Sequence, residues 1–109
     1  MGIQIAKEID GGIDVDYFRV TSFTVPRDAA SMTIKIEVWK NKAAFDAGKP
    51  SLNKSNRIRS VKLDLTLTGA AYTQALQLIG AATTKEGLFT SFETALINNH
   101  PYFSGGVLT

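Results

Sequence analysis

The sequence predicts an α+β fold: an antiparallel β-meander of about four strands, with two C-terminal helices packed on one face. Two observations carry this reading. Over residues 31–39 and again over 59–67, apolar and polar side chains alternate with period two, the pattern of strands with one face buried and one in water. From Ala70 onward the apolar period lengthens to that of a helix, and the change comes at Gly69.

Each element has its own signal. Ile3, Ile5 and Ile9 alternate with polar neighbours and form a short strand, broken by Asp10-Gly11-Gly12 because glycine tolerates the positive φ of a tight turn. Residues 13–25 are rich in β-branched and aromatic side chains, but their apolar parity slips between Tyr17 and Phe18. A slip of one residue turns a strand over, so a bulge or bend is expected near residues 17–19. Pro26-Arg27-Asp28 ends that strand. Met32, Ile34, Ile36 and Val38 then share one face, with Thr33, Lys35, Glu37 and Trp39 on the other.

Residues 42–49 fit one or two helical turns, stopped by Gly48 in a left-handed cap and by Pro50. Residues 51–56 are polar and read as a mobile loop, after which Val61, Leu63, Leu65 and Leu67 resume the alternation. Tyr72, Ala75, Leu76 and Ile79 mark the face of a first long helix ended by Gly80. Thr83 to Glu86 fits a capping box, with Thr83 as the cap, and Leu88, Phe89, Phe92, Ala95 and Leu96 form the stripe of a second helix that Asn98, Asn99 and Pro101 stop. The expected core is Val20, Met32, Ile34, Ile36, Val38, Val61, Leu63, Leu65, Leu67, Leu76, Ile79, Leu88, Phe92 and Leu96.

A chain of 109 residues, 44% hydrophobic and 20% charged, fits one domain over residues 1–109. The absence of cysteine removes disulfide and thiolate chemistry, and a single histidine argues against a histidine-based metal site. No apolar run approaches the roughly 20 residues of a membrane span, and the first residues lack the pattern of a secretory signal. A cytosolic protein that does not enter membranes is expected.

Few residues point to chemistry. Asp14 and Asp16 share a strand face near Glu8 and Asp10, which reads as a solvated surface rather than a hard-cation site needing about six converging oxygens. His100 has no nucleophile or acid at a suggestive spacing, and its expected role is a charge at the carbonyl end of the last helix. No catalytic residue, cofactor or metal ligand is assigned, and the chain is not expected to be an enzyme. Lys40, Lys42, Lys49, Lys54, Arg57, Arg59 and Lys62 face only Asp46 among acids between residues 40 and 62. That basic stretch favours a protein contact or plain solvation, with nucleic-acid binding as the alternative; no RNA- or DNA-reading signature accompanies it. Trp39, on the polar parity of its strand, reads equally as the cover of a core edge and as an interface anchor; with Tyr102 and Phe103, beyond the last helix, it is a candidate contact aromatic. With Lys40, Lys42 and Lys49 they make up the expected partner-binding set, and residues 101–109 are expected to be ordered on the sheet or on an adjacent subunit.

Residues 39–52, Trp39-Lys-Asn-Lys-Ala-Ala-Phe-Asp-Ala-Gly-Lys-Pro-Ser-Leu52, resemble small virion proteins of tailed bacteriophages. In that group a tip of the form charged-x-Lys-x-Ala-x-x-Ala-Gly-Lys-x-x-Leu joins two strands ahead of a C-terminal helix ending in Pro-x-Phe-x-Gly. Residues 92–106 look like that ending, and Tyr17-Phe18-Arg19-Val20 looks like its aromatic-rich strand. Residues 69–84 depart from the pattern as an additional amphipathic segment. The resemblance implies a structural component of the virion, in the tail, baseplate or neck, made in the host cytoplasm. It implies contacts with other virion proteins and with copies of itself, and no catalytic residues or small-molecule substrate.

Overall fold

A computed structural model describes residues 1–9, 12–52 and 64–109. Its sheet is antiparallel and runs β4-β3-β2-β1-β5, formed by Ile3–Ile9 (β1), Ile13–Thr24 (β2), Met32–Trp39 (β3), Asp64–Leu67 (β4) and Val107–Leu108 (β5). The helices are Lys42–Asp46 (α1), Gly69–Ala81 (α2) and Lys85–Asn99 (α3), with a 3-10 turn over Pro101–Phe103. This is the expected α+β architecture. The first four strands are the meander, and the fifth comes from the chain's end, which returns to pair with β1.

The alternation in β3 sets the core. Met32, Ile34, Ile36 and Val38 are at most 1% exposed and meet Phe18, Val20 and Leu67 from neighbouring strands. Ala75 of α2, Phe92, Ala95 and Leu96 of α3, and Phe103 close the layer from above. Fully burying side chains of this size stabilises by about 1.5–3 kcal/mol each, so the sheet–helix interface dominates the fold's stability. Leu65, Ile79 and Phe89 pack against this core while partly exposed; Leu88 is also half-buried.

The parity slip in β2 has a different cause from the one expected. Tyr17 pairs with Trp39 and Phe18 with Val38 in an unbroken register, so Tyr17 lies on the opposite face from Phe18. That second face carries a small core of its own. Phe45 of α1 stands 5.6 Å from Tyr17 and 5.1 Å from Trp39, ring centre to ring centre. The irregularities lie elsewhere: between Val20 and Ser22 in the pairing with β3, and between Gln4 and Lys7 where β1 pairs with β2. The extra residue, Thr21, lets Phe23 return to the core face and stack on Phe89 and Phe92. Gly2 serves this second face by leaving room, since a Cβ there would sit 2.6 Å from the Tyr17 ring.

Other expectations are corrected. Leu76 is 41% exposed, because α2 turns Ala71, Ala75 and Ile79 inward and leaves Leu76 about 100° away from Ala75. The cap of α3 is Thr84 rather than Thr83; its hydroxyl accepts the Gly87 N–H at 3.0 Å. Glu86 does not complete a box but pairs with the N-terminal ammonium and approaches Arg19. Glu37, read as solvated, is 5% exposed. His100 Nδ1 accepts the Tyr102 N–H at 3.2 Å and so caps the 3-10 turn. The α1 reading holds, with Asn41 capping it through Ala44 N–H at 2.8 Å and Gly48 at φ 74° behind it. Val61 and Leu63 lie outside the described residues.

Candidate protein interface

The sequence-predicted partner residues do not converge on one surface. Trp39 is 7% exposed, and its indole N–H donates to the Lys49 carbonyl at 2.9 Å, which folds the tip back over the ring. Its polar parity is real, but α1 covers that end of the sheet. Phe103 is 0% exposed and packs edge-on to Phe18 and Tyr102 at 5.4 and 5.0 Å. It is a core residue, contrary to its reading as a contact. Tyr102 is half-buried between Phe18 and the Lys7 ammonium, which lies 4.6 Å from its ring centre. The tail 101–109 is ordered on its own sheet: Leu108 pairs with Ile3, and Thr109 N–H donates to the Gly2 carbonyl at 2.9 Å.

The lysines separate as well. Lys49 is exposed, whereas Lys42 is half-buried and donates to Thr109 Oγ1 at 3.1 Å. Lys40 lines an open groove of about 530 Å³ with Lys7, Asn41 and the acids Glu8, Asp14 and Asp16. Carboxylates beside Lys40 offset the positive field that phosphate binding requires. Lys54, Arg57, Arg59 and Lys62 lie outside the described residues.

A different surface remains open. Residues 65–84 contain no Asp, Glu, Lys, Arg or His, whereas a charged fraction of 20% would place about four charges in twenty residues. All of α2 falls in this stretch, and it presents Ala70, Thr73, Leu76, Gln77, Gly80 and Ala81 outward. Its inner face is held to α3, where the Asn99 side-chain amide donates to Gln74 Oε1. A surface helix ordinarily carries charge on its outer face, and interface centres are depleted of charge. The sequence held this signal: the charge gap is visible without a structure, but hydrophobic periodicity alone assigns Leu76 to the core.

One buried ionisable group stands apart from this surface. Glu93 of α3 is 0% exposed. Its Oε2 accepts the Val20 N–H at 3.3 Å, and its Oε1 has no partner. Burial raises its pKa to about 7, against smaller lowering effects of the Val20 N–H, the N-terminal ammonium and Arg19. Burial likewise pushes the Tyr17 and Tyr102 hydroxyls up, while the N-terminal ammonium holds Glu86 down.

No family model, curated protein or solved structure matches this chain. Among the described residues no helix is long and apolar enough to cross a membrane, and no cluster of three or more His, Asp or Glu is placed to hold a metal ion.

Proposed function

We propose that this chain is a non-enzymatic structural subunit of an assembled particle, built into it by protein–protein contacts through the outer face of α2. The carrying observation is the uncharged helix itself, with Leu76 41% exposed at its centre. The resemblance of residues 39–52 and 92–106 to small virion proteins supports placing that particle among tailed phages, in a tail, baseplate or neck. Its partners are then other virion proteins and further copies of this chain. The nucleic-acid alternative draws no support from Lys40, which shares its groove with three acids, or from Lys42, which donates to Thr109.

Light scattering coupled to size exclusion tests the reading. The wild type is expected to gain mass above 11.8 kDa as concentration rises, and Leu76→Glu to stay monomeric with an unchanged circular dichroism spectrum. Surface substitutions of this kind usually alter stability by about 0.5 kcal/mol or less. Equal self-association of the two proteins would remove α2 from the contact, and a wild type that stays monomeric at every concentration would refute contact between copies.

A further inference from the structure

The strand β2 is longer than the neighbour that covers it. Pairing with β1 ends at Ile3 opposite Phe18, while β2 continues to Thr24. On that side Val20 has no strand partner, and the carboxyl of Glu93 occupies the vacant place by accepting its N–H. The bond, at 3.3 Å, is longer than the usual 2.7–3.2 Å for N–H···O. Beside it opens a cavity of about 270 Å³ lined by Arg19, Val20, Thr21, Lys85, Glu86 and Phe89. The bulge at Thr21 falls at the same point. A fully buried carboxyl, one oxygen on a long bond and the other on nothing, thus joins α3 to an uncovered strand edge.

We propose that Glu93 is a proton-operated latch on the uncovered edge of β2, closed while its carboxyl is neutral and released, with the first turns of α3, when it ionises. A buried carboxylate needs several donors or a close cation to offset its desolvation, and here one long N–H bond serves it. The charged neighbours do not remedy this. From β2, Arg19 lies 4.1 Å over the Phe45 ring and 4.0 Å from Glu86; its buried Nε has no hydrogen-bond partner, and it makes no bond to the equally unpartnered Glu93 Oε1. The N-terminal ammonium is paired with Glu86. Within α3, Glu86 repels the new charge, and Lys85 lines the cavity without an ion pair to Glu93. The helix α2 contributes no charged residue, Lys35 and Glu37 of β3 lie on the sheet's other face, and Tyr17 is neutral in this range. Leaving the edge for water is the route that solvates the carboxylate.

Amide hydrogen exchange read by NMR tests the latch, with rates corrected for the base catalysis of an unstructured peptide. An acid that titrates near 7 when closed and near 4.5 when open loosens the closed state by about 30-fold between roughly pH 5.5 and pH 8.5. Protection of the Val20 amide is expected to fall by that factor, while the Ile34 amide in the sheet's interior changes less. Glu93→Gln, which keeps an acceptor for Val20 and has no proton to lose, is expected to abolish the dependence. Equal losses at Val20 and Ile34, or an unchanged pH response in the Gln variant, would overturn the proposal. If that variant does not fold, the wild type decides alone. The loss of Val20 protection must level off where the Glu93 carboxyl carbon titrates, near pH 7, and a resonance that stays fixed over the range refutes the latch.

Discussion

Replacing Phe103 with alanine separates a tail that belongs to the fold from one held in reserve for a neighbour. The ring is 0% exposed, edge-on to Phe18 at 5.4 Å and to Tyr102 at 5.0 Å, with His100 at 5.8 Å. It also anchors the return of the chain to β1, because three residues later Gly106 passes so close to Ile3 that a Cβ would lie 2.8 Å from its methyl group. Truncating a buried Phe to Ala costs about 3–5 kcal/mol, against a total stability of about 5–15 kcal/mol for a domain. With a urea slope of about 1–3 kcal/mol per molar, the unfolding midpoint should fall by about 2 M. Urea titration followed by tryptophan fluorescence reads it, since Trp39 sits in the other small core and reports loss of the sheet. Deletion of residues 102–109 should be at least as damaging, a folding lesion rather than an assembly lesion. A shift below about 0.5 M for Phe103→Ala would show that the ring is not in the core and would return the tail to the role of a contact arm.

Two further outcomes follow from named groups. Glu93 titrates near 7 in the folded chain against an ordinary 4.5, so the native state holds its proton more tightly. That contribution is complete below about pH 4.5 and is lost as pH rises through about 7; at about 1.36 kcal/mol per unit it amounts to roughly 3 kcal/mol. Thermal or urea unfolding across this range should show the decline in wild type and a flatter profile in Glu93→Gln, whereas parallel profiles would assign it to another group. Trp39→Phe should lower stability by about 1 kcal/mol, because it keeps most of the ring packing but strips the Lys49 carbonyl of its indole donor at 2.9 Å. An unchanged melting temperature would mean that water replaces the indole without loss.

The sheet was legible because alternation reports which face is buried, and β3 alternates without fault from Met32 to Val38. What alternation does not report is a sheet buried on both faces. Tyr17 beside Phe18 looks like a slip in a one-sided strand; with α1 laid over the far face, both residues are inside and no bulge is needed between them. The same blindness left Trp39 readable equally as the cover of a core edge and as a contact. Glu93 could not be found by pattern, since a glutamate in a helical stripe is ordinarily solvated, and its burial follows from β1 ending opposite Phe18 while β2 runs on, a mismatch of lengths that exists only once the strands are paired. Phe103 was misplaced for a related reason: the two-residue strand Val107–Leu108 is too short to signal itself, and without it nothing decides for residues 101–109 between their own sheet and an adjacent subunit.

Leu76 and Trp39 therefore exchange places, and the exchange changes what a partner must look like. A contact built on Trp39, Lys40, Lys42 and Lys49 would call for an acidic, aromatic-receiving surface and would weaken with salt. A contact built on α2 calls for an apolar, uncharged one. A charge set opposite residues 70–81 would lose water and find no ion to pair with, a cost that grows with burial. The small side chains of Ala70, Thr73, Gly80 and Ala81 let another backbone approach closely around the two larger side chains, Leu76 and Gln77. An association of this kind should be nearly insensitive to ionic strength, and that sets it apart from a basic-tip contact before any residue is changed.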